Sequence, residues 1–230
     1  MARLALRFYK LIEYTAMPRR AARAPDAPKR RAAEIRAAAA KVFAERGYHN
    51  ATTQDIADVL GIRQASLYYY IPTKEAALED VCMDGAEGYV TRATAIQRSP
   101  GDAAHKLAAL VREHLEPLRD RADFVRVFLR ERRHLPDASR RRIGRHARRY
   151  ERIVEQVLKE GVRRGEFRRG LDCRLAALAA IGMCNASTAW YGREPGASLE
   201  RICGAFSQLL VDGIARPRPA ATPRRRRAGS

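Results

Sequence analysis

Apolar residues through the middle of this chain recur at spacings of three and four, and almost nowhere alternate with polar ones. That recurrence lays an apolar stripe on a helix, whereas a half-buried strand needs strict alternation. The pattern predicts an all-α fold of about nine helices. The first runs from about Lys29 to Arg46, its face marked by Ile35, Ala38, Ala39, Val42 and Phe43, and Gly47 supplies a left-handed stop. Two short helices follow at about Thr53–Leu60 and Gln64–Tyr70, and a fourth starts near Thr73. Pro100-Gly101 break the chain before a helix at about Asp102–Arg119, and a shorter one passes through Phe124–Arg130. Pro136-Asp137 open a long helix ending near Gly165. Two apolar helices, about Asp172–Tyr191 and Ser198–Ala215, close the fold.

The most informative stretch is Thr52–Lys74, TTQDIADVLGIRQASLYYYIPTK. Thr52 followed three residues later by Asp55 is the pattern of a capping box. Ile56, Val59 and Leu60 form the expected buried stripe, Gly61 permits a tight turn, and Ile62 plugs the junction. Leu67 and Ile71 seat the next helix on the same core. Two short helices, a glycine-bearing turn and a small shared core make a helix-turn-helix. What stays outward is Arg63, Gln64, Ser66, Tyr68, Tyr69 and Tyr70, with no acid among them. Three consecutive helical tyrosines point about 100° apart, so they cannot all face inward. A phosphate-lined groove repels carboxylates, and Arg and Gln suit paired hydrogen bonds with base edges. Lys74 near a helix N-terminus suits a phosphate.

The segment ERGYHNATTQDIADVLGIRQASLYYYIPTKEAAL resembles the N-terminal domain of the tetracycline-repressor (TetR) family. The likeness rests on Arg46-Gly47-Tyr48, Ile56-Ala57, Leu60-Gly61-Ile62, Leu67-Tyr68-Tyr69-Tyr70 and Lys74-Glu75-Ala76-Ala77-Leu78, and covers about residues 30–80. It implies contacts with an operator in double-stranded DNA at Thr53, Gln54, Arg63, Gln64, Ala65, Ser66, Tyr68, Tyr70 and Lys74. It also implies a larger helical domain that binds a small effector and forms a homodimer through its last two helices. The organisation expected is a basic arm at 1–28, a DNA-binding domain at 29–80, an effector and dimerisation domain at 81–215, and an Arg-rich tail at 216–230.

Signals in the larger domain are more open. The stripe Leu199, Ile202, Phe206, Leu209 and Leu210 fits ordinary core or a two-fold packing surface, and the family layout implies the second. Asn185 with Trp190-Tyr191 offers an aromatic wall and a polar group to a ligand, or simply more core. SLYYYI together with that helix is similar to TetR-type repressors of lipid or steroid breakdown, some of which sense acyl-CoA thioesters. Ala189 departs from the Arg those relatives often carry there. The implied effector is an apolar or acyl-CoA-like molecule. The arginines at 140, 141, 142, 145, 148, 149 and 152 read as a solvated face, or as a grip on an anionic effector.

Charge strengthens the nucleic-acid reading. The net charge is +19, and residues 1–31 hold nine Lys/Arg against two acids while residues 216–230 hold six Arg and no acid. That balance also suits a general DNA-compacting protein, or an anionic membrane surface. No run of 18 apolar residues occurs, and Arg7, Lys10 and Glu13 interrupt any signal-peptide core. The Arg content of the first residues has the look of a mitochondrial presequence. Met17 offers an alternative start that would remove the first 16 residues. Cys82, Cys173, Cys184 and Cys203 form no C-x-x-C pair and fit reduced thiols in a cytoplasmic, nucleoid-associated protein. The five histidines have no ligand spacing, so no metal or other cofactor is expected. No phosphate loop, nucleophile elbow or carboxylate pair supports an enzyme.

Overall fold

The computed structural model describes residues 27–215, which leaves the basic arm up to residue 26 and the whole Arg-rich tail outside the described residues. Nine α-helices occur among those described: α1 (Ala27–Asn50), α2 (Thr53–Val59), α3 (Gln64–Tyr68), α4 (Lys74–Arg98), α5 (Ala103–Leu115), α6 (Ala122–Arg130), α7 (Asp137–Arg164), α8 (Cys173–Ala186) and α9 (Leu199–Ile214). Short 3-10 turns follow α5, α6 and α8 at Glu116–Leu118, Arg132–His134 and Ser187–Ala189. The described residues divide into two units between Glu34 and Ile35. Of the first, the described part is the opening of α1, where Glu34 accepts from Arg30 and Arg31 at 3.1 and 3.0 Å.

The helices stop where local chemistry makes them stop. Ala27 and Pro28 already belong to α1, so helix starts inside the span read as a flexible arm. Gly47 breaks α1 with φ 71° and ψ 162°, a kink and not the left-handed stop expected, and helix resumes to Asn50. The predicted capping box is present: Thr52 Oγ1 accepts from Asp55 N at 3.1 Å, and Asp55 accepts from Thr52 N at 2.9 Å. After α2, Ile62 N donates to Ala57 O and Gly61 N to Asp58 O, both 3.1 Å, with Gly61 at φ 63°. This Schellman closure needs a left-handed residue, which glycine adopts without strain. α3 ends at Tyr68 and not Tyr70, because Tyr70 N and Ile71 N turn back to Leu67 O. The helix expected to reach Arg119 tightens at Glu116-Pro117, and the one expected to reach Tyr191 tightens at Ser187.

Three apolar clusters fill the second unit. In the first, Ile35, Phe43, Ile56, Leu67, Ile71 and Leu78 close the helix-turn-helix, joined by Val127, Leu135 and Ile143 from α6, its following loop and α7. Val59, expected in that stripe, is 47% exposed, since Ala57 takes the inward place beside Ile56. The second cluster lies between α4, α5, α7 and α8, and the third between α5, α6, α8 and α9. Leu199 and Ile202 are 2% and 5% exposed within that third cluster, so they serve this chain's own core and not a surface for a second copy. Among the described residues no helix is long and apolar enough to cross a membrane, and no group of three or more His, Cys, Asp and Glu is placed to hold a metal.

Candidate nucleic-acid interface and interior cavity

α3 presents its polar side outward because Leu67 and Ile71 anchor the other side at 0% and 3% exposure. Tyr68, Tyr69 and Tyr70 are 46%, 86% and 43% exposed. Arg63 at the α3 N-cap and Ala65 and Ser66 in its first turn are exposed as well. Gln64 is half-buried and donates to Thr53 Oγ1 at 2.7 Å, while Thr53 Oγ1 and Tyr68 OH lie 3.1 Å apart. Thr53, Gln64 and Tyr68 thus form one polar cluster across the two helices. Gln54 turns aside to Asp58 at 2.6 Å.

Lys74 is less free than its position in the sequence implied. Its Nζ donates to the carbonyls of Tyr48 and Ala51, both at 2.9 Å, and sits 4.4 Å from the centre of the Tyr48 ring. Two of its three N–H bonds therefore hold the turn between α1 and α2 to the start of α4. Tyr48 OH donates to Glu75 at 2.6 Å, which together with burial pushes the Tyr48 phenol up to about 12 and holds the Glu75 carboxyl low. From the other side, Glu131 accepts from Tyr48 N at 3.0 Å and the His134 ring stacks on Tyr48 at 5.4 Å.

Farther along α4 is a cavity of about 150 Å³. Gly85, Ala86, Gly88 and Tyr89 of α4 form one wall, Phe124, Val125, Phe128 and Leu129 of α6 a second, and His146, Ala147 and Tyr150 of α7 a third. Three guanidinium groups also line it, each lying over an aromatic ring: Arg92 on Tyr89, Arg121 on Phe124 and Arg132 on Phe128, at 5.3, 4.1 and 4.8 Å. Arg121 also pairs with Asp84, whose other oxygen lies 3.7 Å from Arg36 of α1.

The lining grades from these part-exposed arginines to a buried polar end. There, His114 Nε2 donates to Asn185 Oδ1 at 3.0 Å, which leaves Nδ1 to accept from Tyr150 OH at 2.8 Å. Tyr89 OH donates to His114 O at 3.1 Å. Burial pushes the His114 imidazole down to about 4 and lifts the Tyr89 phenol to about 12, so all three rings are neutral near pH 7.

Of the three residues expected at a ligand site, Asn185 lines the cavity and Trp190 and Tyr191 do not. Trp190 packs edge-on against Phe206, 6.2 Å away, and both it and Tyr191 lie against the third apolar cluster. The short turn Ser187–Ala189 ends α8 before them, and that takes them off the cavity wall. The residues missed left a trace in the sequence. Arg stands three or four positions from an aromatic in Tyr89/Arg92, Arg121/Phe124 and Phe128/Arg132, the spacing that stacks one on the other along a helix.

The chain is similar to known proteins in sequence and fold. A family model described as bacterial regulatory proteins, tetR family, matches residues 35–81, and one described as tetracyclin repressor-like, C-terminal domain, matches residues 100–214. The chain is 28% identical over 178 residues to the fatty acid metabolism regulator protein of Bacillus subtilis, covering 77% of this chain and 92% of that one. It is 29% identical over 195 residues to the HTH-type transcriptional repressor KstR2 of Mycolicibacterium smegmatis, covering 83% and 95%. Among solved structures, the transcriptional regulator FadR of Bacillus subtilis in complex with stearoyl-CoA superposes with a TM-score of 0.67 at 28% identity, covering 79% of this chain and 98% of that one.

Proposed function

Since the chain belongs to the TetR family of bacterial regulatory proteins, we propose that it is a ligand-responsive transcriptional repressor whose α3 reads operator DNA and whose interior cavity takes an acyl-CoA-like effector. The observation that carries this reading is the reach of α4. Its first turn holds the helix-turn-helix through Lys74 and Glu75, and its residues 85–92 wall the cavity. A molecule wedged between α4 and α6 changes the placement of both helices that grip Tyr48. Release of DNA follows only if the ligand prefers the DNA-incompetent arrangement, because equal affinity for both shifts nothing.

Arg63, Gln64, Ala65, Ser66, Tyr68 and Tyr70 are the proposed contacts of α3, with Thr53 and Gln54 from α2. Lys74 joins them through its one N–H not spent on a carbonyl. The cavity supports an acyl-CoA-like effector by having an apolar interior for an acyl group and cationic residues for phosphates. A homodimer through α8 and α9 is supported by Leu175, Leu178 and Leu209, which lie 63%, 39% and 65% exposed on those two helices.

Selection from random duplex DNA with the purified protein tests the reading. The expected product is a two-fold symmetric motif with half-sites about one helical turn, roughly 34 Å, apart. Replacing Arg63 or Gln64 by Ala should relax choice at particular bases, at about 1–3 kcal/mol per lost paired contact. Binding without enrichment of any motif would instead identify a general DNA-compacting protein.

A further inference from the structure

Given that the cavity is the effector site, we propose that the hydrogen-bonded pair His114–Tyr150 is a stop that limits the effector's acyl group to about six to eight carbons or a single ring. Size is the first ground. A cavity of about 150 Å³ accommodates a molecule about as large as benzene, far short of an 18-carbon chain. Beyond the pair lies a second cavity of about 10 Å³, walled by Leu107, Leu110, Val111, Val154 and Cys184. His114, Tyr150 and Ile181 line both cavities, so they are the partition between them. A chain long enough to pass six or eight carbons meets this partition, although what lies behind it is apolar.

The partition is held shut by its own bonding. His114 spends both ring nitrogens, one on Tyr150 and one on Asn185, and the rings of Tyr89, His114 and Tyr150 pack pairwise with centroids 5.0 to 5.6 Å apart. Moving either member aside leaves a buried donor or acceptor unpaired, and an alkyl chain supplies no replacement. The Asn185 amide nitrogen, by contrast, has no acceptor among the described residues, and Asn185 lines the same cavity. It offers a donor to a carbonyl carried at the far end of the acyl group, such as one on a ring.

Calorimetric titration of the full-length protein with butyryl-, hexanoyl-, octanoyl-, dodecanoyl- and palmitoyl-CoA, benzoyl-CoA and coenzyme A itself tests the stop. Wild type should bind hexanoyl-, octanoyl- or benzoyl-CoA best and palmitoyl-CoA at least tenfold more weakly. His114→Ala joins the two cavities and should move the optimum about two carbons longer, with butyryl-CoA affinity little changed. Tyr150→Phe keeps the ring packing while removing the bond that holds the wall, and should raise dodecanoyl-CoA affinity at least threefold relative to hexanoyl-CoA. Palmitoyl-CoA binding wild type as tightly as hexanoyl-CoA overturns the stop and leaves the effector reading standing. So does an unchanged chain-length profile in the folded variants. Failure of every thioester to bind removes the effector reading and the stop together.

Discussion

Gln64 and His114 are both polar residues held by polar neighbours, and burial makes them behave differently. Gln64 rests on Thr53 and Tyr68 at a surface where water competes, so its amide can trade those partners for a base edge at small cost. His114 has no such freedom, since its ring is enclosed and neutral. An unfolded chain takes up a proton on this histidine as pH falls through about 6.5, whereas the folded chain does so only near 4. The contribution is therefore intact above about 6.5, drains between 6.5 and 4, and levels off below. By pH 5 the loss is about 2 kcal/mol. Urea unfolding at pH 7 and pH 5 should show that excess loss in wild type over His114→Gln; equal pH dependence in the two proteins would refute it. Trp190 illustrates the opposite limit. Its identity suggested a ligand wall, but which wall a tryptophan joins depends on where α8 stops, and that depends on a turn at Ser187–Ala189 that periodicity does not announce.

At the scale of elements, the sequence was most legible where one local bond decides the outcome. The Thr52–Asp55 box and the Gly61 closure set both ends of α2, and each is visible as a residue type at a fixed offset. α7 is similar, opening at Pro136-Asp137 and ending on Gly165 at φ 75°. Elements whose role depends on distant partners were not legible: Leu199 and Ile202 share the spacing of a dimer stripe and face inward, because α5 and α6 cover them. The cavity was hidden for the same reason, being built from α4, α6 and α7 together. Beside it, Asp84 touches two elements at once, pairing with Arg121 of the cavity lining and lying near Arg36 of α1. An anionic ligand group competing for Arg121 would loosen that bridge. Asp84→Asn should leave DNA affinity within about threefold while reducing the difference in affinity made by a saturating thioester. Full retention of that difference, measured by anisotropy of a labelled duplex, would exclude Asp84 from the coupling.

The whole molecule brings charge and symmetry into the account. A single α3 reads too few base pairs for a specific site, and the proposed pairing through α8 and α9 would supply a second. Leu175 and Leu209 are the most exposed large apolar residues on those two helices, and a carboxylate at either would be buried unpaired in such a dimer. Leu175→Glu with Leu209→Glu should sediment as a monomer that keeps its helical content; a wild-type monomer at micromolar concentration would remove the interface. For the basic segments at 1–26 and 216–230 the proposal is affinity without base choice, and their removal should make the log–log salt slope shallower while sparing the selected motif. The claim joining these parts is that filling the cavity empties the DNA site. Its direct measurement is fluorescence anisotropy of a labelled duplex carrying the selected motif, bound by wild type and titrated with hexanoyl-CoA and palmitoyl-CoA against coenzyme A alone. The account predicts that a thioester returns the anisotropy to that of free duplex over the range in which calorimetry detects it binding, while coenzyme A does not. A duplex that stays fully bound with the cavity saturated would contradict it.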